Sequence, residues 1–290
     1  MLLESIGNKN QDAYFSMDFV VQSNRLYRLD VKISAINEDT ESQQLYACTR
    51  CVDIQSKDSY ESCVKKLKQL PVELKTNFTD ELEKIEGMGW LFSYPADFSS
   101  GIVKCSKSDK YPLILDYTLR ALDSSVKAVE KIDMVENTYV IRMKTQDLVI
   151  QDGEVIKNNI LSSGTKAGID IARMITSIIE GDCGFYYCDE KFSYVHSDVE
   201  KAFLSIMING LKENDQLFFT THNTDILDLP LPKHSFIFLK KDVFDEEEPI
   251  KCVSASQFLK RSTDSLRNAV ENDLFSVSPN LELIYEIESI

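Results

Sequence analysis

The sequence lacks any run of about 18 uninterrupted apolar residues, the length that a membrane-spanning helix requires. Residues 1–11 also lack the basic and then apolar pattern of a secretory signal peptide. With 290 residues, 43% of them hydrophobic, the chain can build a substantial core in one large domain or two modest ones. We therefore expect a globular protein of the cytoplasm that makes no use of a membrane.

Positive charge is also scarce, with 32 Lys and Arg residues against 47 Asp and Glu and a formal net charge of −15. Such a surface repels phosphate polymers and anionic membranes. The densest basic cluster, Lys65, Lys66 and Lys68, has helical spacing and is better explained as a solvated helix face. Binding of nucleic acid by a local basic groove stays open, but the charge does not support it.

The cysteines give no disulfide framework, because there are seven of them without framework-like spacing. Free thiols in a reducing compartment are expected. Cys48 and Cys51 form one C-x-x-C pair near Cys63, which leaves a zinc site as an alternative. Since there is no second pair and no neighbouring histidine, partly buried strand cysteines are the favoured interpretation.

The sequence pattern predicts two regions in the first part of the chain. Residues 1–56 alternate between apolar and polar as an antiparallel β meander with one wet face does, with strands at 14–21, 26–33 and 44–52. Residues 57–110 read as a helical and loop-rich insertion. Within it we expect a charged helix before Pro71, a short helix whose N-cap is Thr79, and a connection without regular structure over residues 87–101.

The sequence pattern predicts an α/β lobe with a parallel sheet over residues 111–242. It predicts a mainly helical tail over residues 243–290. Hydrophobic segments and crossover-length connections carry this prediction. The expected elements are helices over residues 111–132, from Gly164 to about Gly181 and over 197–211, strands at 138–143 and 147–150 before a hairpin turn at Asp152-Gly153, and buried strands at 185–188, 217–219 and 235–239.

Three polar residues follow predicted strands of the parallel sheet: Asp189, Glu190 and His222. Ligands bind outside the carboxyl ends of such strands. There Asp189 could hold Mg²⁺, Glu190 could orient or deprotonate an attacking water, and His222 could sense a terminal phosphate. The competing interpretation is a polar strand exit that caps the next helix, with a structural histidine near a helix start.

A turn of small residues, Ser162, Ser163 and Gly164, precedes a predicted helix. Backbone N–H groups and the helix dipole at such a position favour an anion. An ordinary serine N-cap is the alternative. The following Gly164-Thr165-Lys166 is not a Walker A motif, since it lacks the G-x-x-x-x-G-K-[ST] order.

These motifs, taken in order, resemble those of ATP-binding-cassette ATPases. Residues 161–165 (Leu-Ser-Ser-Gly-Thr) resemble the signature motif, 185–190 the Walker B strand, 196–198 the D-loop, and His222 the switch histidine. Within that superfamily the chain most resembles the SMC-like and OLD-like AAA ATPases of bacterial abortive-infection and phage-defence systems. The resemblance extends over residues 150–241 and is fainter elsewhere.

The resemblance implies a sandwich of nucleotide between two heads, with ATP and Mg²⁺ as cofactors. The implied roles are γ-phosphate contact across the dimer for Ser162, Ser163 and Gly164, Mg²⁺ for Asp189, the attacking water for Glu190, the γ-phosphate for His222, and communication between heads for Asp198. Lys191 stands where the family usually has a proline, which questions the geometry of that loop.

A larger departure is the P-loop, which none of the ten glycines, Gly7 included, builds. The expectation is therefore an ATPase head whose Walker A segment lies upstream or on another polypeptide, working as a homodimer or with a P-loop-bearing or nuclease effector subunit. The alternative is a catalytically silent cassette-fold scaffold or regulator that binds a partner protein. A stand-alone hydrolase or nuclease is poorly supported, because no further carboxylate cluster has a catalytic pattern.

Overall fold

The computed structural model describes residues 12–21, 24–36, 43–75, 77–95, 108–132, 135, 137–144, 146–151, 154–155, 163–241, 250–261, 264–276 and 285–287. Its fold is mixed α/β, with one parallel and several antiparallel sheets. The chain divides into two compact units. The first comprises Met1–Tyr194 and Ile206–Thr221, and the second comprises Val195–Ser205 and His222–Ile290.

The first unit begins with the predicted antiparallel meander of β1 (Ala13–Val21), β2 (Arg25–Ile33) and β3 (Leu45–Asp53). One face is apolar and buried, as the alternation of the sequence requires. The other face is not fully wet, because helix α1 (Tyr60–Gln69) packs on it. Arg50, only 8% exposed, fixes that helix by donating to the carbonyl oxygens of Leu67 and Leu70.

In the described part of the region between α1 and residue 110 there are one helix and one strand. Helix α2 (Phe78–Glu83) begins earlier than predicted, since Asn77 rather than Thr79 accepts the capping hydrogen bond. Strand β4 (Trp90–Ser93) lies where a connection without regular structure was expected. Its partner is a parallel strand almost a hundred residues later in the chain, so the local sequence carries little sign of the pairing.

The predicted helix over residues 111–132 is wrong in its second half. Helix α3 (Tyr111–Leu122) ends at Asp123, whose carboxylate accepts hydrogen bonds from the backbone and side chain of Ser125. This turn starts an antiparallel sheet that covers α3 and α4: β5 (Val126–Lys131), β6 (Thr138–Met143), β7 (Asp147–Gln151) and β8 (Glu154–Val155). The predicted hairpin turn at Asp152-Gly153 lies outside the described residues.

The parallel sheet has the order β10-β9-β4, with β9 (Phe185–Asp189) in the centre and β10 (Gln216–Thr220) beside it. One face of β9 packs on the aromatic core shared with the meander. Its other face meets α4 (Ser163–Glu180), where the Tyr186 hydroxyl donates to the carbonyl of Ser177. The prediction of a strand buried on both faces is confirmed for β9. It is wrong for β10, whose Phe218 is 47% exposed.

The second unit contains the first part of α5 (Ser197–Gly210) and the chain after Thr221. The strand expected at residues 235–239 is β11 (Ile237–Lys241), which does not join the parallel sheet. It pairs antiparallel with β12 (Ile250–Ser254), and its Ile237 and Leu239 are largely exposed. Helices α6 (Ala255–Phe258) and α7 (Leu266–Glu271) are short, so the described residues 250–276 are less helical than predicted.

Candidate nucleotide-hydrolysis site

Asp189 and Thr220 end the neighbouring parallel strands β9 and β10 and are register partners. The Thr220 hydroxyl donates to Oδ1 of Asp189 at 2.7 Å. The backbone N–H of Glu190 in turn donates to that hydroxyl at 3.0 Å and lies 3.2 Å from the Thr220 carbonyl oxygen. One threonine therefore fixes both acidic residues at the carboxyl edge of the sheet.

Glu190 has a left-handed backbone conformation, with φ of 43°. Few non-glycine residues adopt this conformation, which costs on the order of 1–3 kcal/mol and is common at functional sites. Its carbonyl oxygen accepts hydrogen bonds from the N–H and the hydroxyl of Ser193 at 3.2 and 2.7 Å. The Glu190 backbone is thus held on both sides in a tight turn.

The residue after Glu190 is buried, although it is a lysine. The Lys191 side chain is 1% exposed, and its ammonium forms an ion pair with Asp170 of α4. It also donates to the carbonyl oxygen of Tyr94, just beyond β4, at 2.9 Å. Phe192 follows it into the core, with its ring 5.4 Å from that of Phe219. A proline, which stands at this position in the motif that the sequence resembles, would make neither polar contact.

The carboxylate at the end of β9 affects the pKa values of two tyrosines. Burial, and then the negative charge of Asp189, raise the pKa of both Tyr94 and Tyr187. Each therefore stays protonated at neutral pH and is unsuited to act as a base. Among the residues at this edge of the sheet, Glu190 keeps the role of candidate base.

The predicted anion-binding turn is described in part. Ser163 and Gly164 are the first two residues of the 18-residue helix α4, and both are half-buried. Ser162 lies outside the described residues. The next residue, Thr165, is buried and donates to Oδ2 of Asp123 at 2.9 Å. The start of α4 is thereby fixed to the end of α3.

His222 and Asp198 belong to the second unit. Both are exposed, and Asp198 forms an ion pair with Lys201 at 3.1 Å. His222 precedes Asn223, which caps the short 3₁₀ helix Thr224–Asp228 and donates to Oε2 of Glu200 at 2.7 Å. In the first unit the structure brings Asp189 and Glu190 together, while His222 and Asp198 lie in the other unit.

Comparison with known proteins gives little. No protein-family model matches the chain, and no curated protein does. Among solved structures, the chain is similar to the SMC head domain from Thermotoga maritima, with 12% sequence identity and a TM-score of 0.33. The similarity covers 74% of this chain and 66% of that one. A likeness of this size establishes neither a family nor a function.

The donor atoms fit a cation that arrives with a phosphate better than a metal held by protein alone. In the described parts of the chain no group of three or more His, Cys, Asp or Glu side chains could hold a metal ion. Mg²⁺ is commonly bound through one or two carboxylates together with substrate phosphates and water. Asp189 can supply one such carboxylate.

The zinc alternative for the C-x-x-C pair is not supported. Cys48 and Cys51 are three residues apart on β3, and successive side chains of a strand point to opposite faces. Cys48 is buried and Cys51 half-buried, and both are free thiols. The favoured interpretation as strand cysteines is confirmed.

No helix among the residues that the structure describes is long and apolar enough to cross a membrane.

Sequence reasoning missed the contacts that three residues make at the site. Thr220 was visible only as part of a polar strand end, although it bridges Asp189 and Glu190. Asp170 and Lys191 form the buried pair beside them. An aspartate between two buried isoleucines of α4 was the one signal for that pair, because a charge in an apolar stretch usually has a buried partner.

Proposed function

We propose that this chain is the ATPase-head component of a bacterial complex of the phage-defence type, acting in the cytoplasm. Binding or hydrolysis of ATP between two heads controls an effector, which we take to be a nuclease. The P-loop comes from another polypeptide or from a further segment of the same protein. The complex is either a homodimer or a hetero-oligomer with the P-loop-bearing or effector subunit.

The observation that carries this proposal is the bridge made by Thr220 between Asp189 and Glu190. This bridge holds two adjacent acidic residues at the carboxyl edge of a parallel sheet, where ligands bind. In the proposed reaction each of the two residues has its own role. When bound, Mg²⁺ neutralises charge on the phosphates, and Asp189 would hold it. Glu190 would accept a proton from the attacking water.

The remaining roles follow from the order of the motifs and stay proposals. Ser162, Ser163 and Gly164, of which Ser163 and Gly164 begin α4, would contact the γ-phosphate of a nucleotide held by the opposing head. His222 would contact the γ-phosphate in its own head, and Asp198 would contact the opposing head. Exposure of His222 and Asp198 is compatible with contacts outside the chain.

The test is steady-state ATP hydrolysis by the assembly that contains this chain and its P-loop-bearing partner or segment. We expect Glu190→Gln to lower kcat by about 10²–10⁴-fold, because a positioned base contributes that much, while ATP-dependent dimerisation persists. Glu213→Gln is the matched control, since Glu213 is an exposed residue before β10. Wild-type kcat in Glu190→Gln, or no ATP binding by the chain alone or in the assembly, would contradict the enzymatic proposal.

A second candidate is a catalytically silent scaffold that keeps the fold for binding a partner protein. The observation in its favour is the absence of G-x-x-x-x-G-K-[ST] from the 290 residues. It predicts that Glu190→Gln and His222→Ala leave every activity of the assembly intact. His234→Ala is the control for the histidine, because His234 is also exposed and lies outside the motifs.

A further inference from the structure

The buried Lys191–Asp170 ion pair joins three segments that are far apart in sequence. Its ammonium contacts the Asp170 carboxylate in α4 and the Tyr94 carbonyl just beyond β4, while the lysine itself belongs to the turn after β9. The Lys191 and Asp170 side chains are 1% and 14% exposed. An ammonium out of contact with water needs such partners. A movement of the turn therefore either moves Asp170 and Tyr94 with it or breaks their contacts with the Lys191 ammonium.

Stability alone does not explain the pair. Replacement of a buried ion pair by apolar residues of similar volume is often neutral or stabilising, because taking two charges out of water offsets their attraction. What an ion pair with a second hydrogen bond does provide is a defined geometry. Here that geometry fixes the residue directly after Glu190, whose own N–H and carbonyl are held by Thr220 and Ser193.

Asp170, the other residue of the ion pair, lies on α4. This helix begins with Ser163 and Gly164 of the predicted anion-binding turn. Asp170 is seven residues after Ser163, so it lies two turns, or about 10 Å, along the rigid helix α4. It faces inward, lining a cavity of about 10 Å³ with Ser93 and Arg173. Helix α4 and the ion pair therefore form a continuous path of contacts from Ser163 to the turn that holds Glu190.

We propose that Lys191 and Asp170 are positioning residues that couple the start of α4 to the carboxylate of Glu190. This inference rests on the proposed function, because it assigns the coupling to the base of the hydrolysis reaction. Neither residue contacts the reacting atoms in this scheme.

The test is the double variant Lys191→Met/Asp170→Leu, which replaces the ion pair by apolar side chains of similar size. We expect its urea midpoint to stay near that of the wild type, while kcat of the assembly falls about 10- to 100-fold, as expected for a misplaced catalytic group. KM for ATP should change by less than about threefold, since ground-state binding is untouched. Lys191→Arg, which keeps a cation for Asp170, should recover most of kcat.

A measurement on the chain itself guards against a variant that does not fold. Asp170→Asn keeps an acceptor but removes the charge. Amide hydrogen exchange should then become faster at residues 190–193, while Tyr186 and Cys188 inside β9 stay protected. Unchanged exchange at residues 190–193 in Asp170→Asn would overturn the coupling, as would a folded double variant with wild-type kcat.

The two levels of the proposal fail differently. If Glu190→Gln lowers kcat and the folded double variant keeps the wild-type kcat, the ion pair has no positioning role and the proposed function stands. If Glu190→Gln hydrolyses ATP as fast as the wild type, the proposed function is wrong and this inference is lost with it. A loss of kcat in the double variant that Lys191→Arg does not recover would also count against positioning.

Discussion

The start of strand β4 approaches the loop before β9 too closely for a side chain. A Cβ atom at Gly89 would lie 2.9 Å from the carbonyl oxygen of Asp182 and 3.1 Å from the Cα atom of Cys183. Both are backbone atoms that cannot rotate away. The Gly89 carbonyl oxygen also accepts hydrogen bonds at 3.1 Å from the N–H groups of Gly184 and Phe185, so separating the two segments strains the entry into the parallel sheet.

We therefore expect Gly89→Ala to destabilise the first unit by about 1–2 kcal/mol. Overpacking typically costs about 1–3 kcal/mol, and a weakened hydrogen bond costs up to about 1 kcal/mol. Against this, alanine restricts the unfolded chain and contributes about 0.4–1 kcal/mol to stability. The steric cost exceeds the entropic gain because the obstructing atoms are backbone.

Gly184→Ala is the matched control. Its Cβ atom would meet Cγ of Met88 at 3.2 Å, and that flexible side chain can move aside. Its free energy of unfolding should stay within about 1 kcal/mol of the wild type. The assay is urea denaturation followed by fluorescence of the single tryptophan, Trp90, which is the first residue of β4. Equal urea midpoints for the two variants would refute the close-approach argument.

Two further predictions concern titration and thiol access. Hydrogen bonds from Ser125, and then from Thr165, hold the pKa of Asp123 below its usual value; a lowered folded pKa gives stability that is present above about pH 4 and lost as the pH falls through the folded pKa. The loss of unfolding free energy in Asp123→Asn should therefore be largest near neutral pH and shrink in acid, and a loss independent of pH would contradict this. Burial raises the pKa of Cys188 to about 12, so a thiol reagent should label exposed Cys252 in the native protein and Cys188 only after unfolding, as peptide mapping would show; labelling of both at one rate would count against it.

Much of the fold could be predicted because its signals are local. The strands of the meander alternate every second residue, and the apolar run of β9 marks a strand buried on both faces. The long helix α4 shows its stripe at helical spacing. Each of these patterns depends on one face of one segment, which is what a single sequence records well.

The errors arise where distant partners decide the structure. Trp90–Ser93 is too short to be identified as a strand without its partner β9. The end of α3 depends on one side chain, Asp123, which turns the backbone through Ser125 into β5. β11 has the composition of a buried strand but pairs antiparallel with β12, and no local pattern distinguishes those two arrangements.

The candidate site divides in the same way. Asp189 and Glu190 could be predicted, because two acidic residues directly after a hydrophobic strand fall at the edge where ligands bind. Thr220 could not, since its hydroxyl becomes important only when β10 lies in register beside β9. The predicted acids are the candidate chemical groups of the site, and the missed threonine makes hydrogen bonds with the Asp189 carboxylate and the Glu190 backbone.

Lys191 shows why the competing interpretation of the acidic pair could not be rejected from the sequence. Asp-Glu-Lys after a strand is typical of a solvated strand exit, and a solvated exit has no reason to bury its lysine. In the structure that lysine is buried against Asp170, which comes 21 residues earlier in the chain, and the turn that contains Glu190 is fixed from both sides. The backbone of a solvated strand exit could adopt a conformation of lower energy. Here Glu190 keeps a left-handed backbone conformation, which persists only because the neighbouring residues hold it in place. The burial of Lys191, more than the presence of Asp189 and Glu190, therefore favours a functional interpretation of this loop.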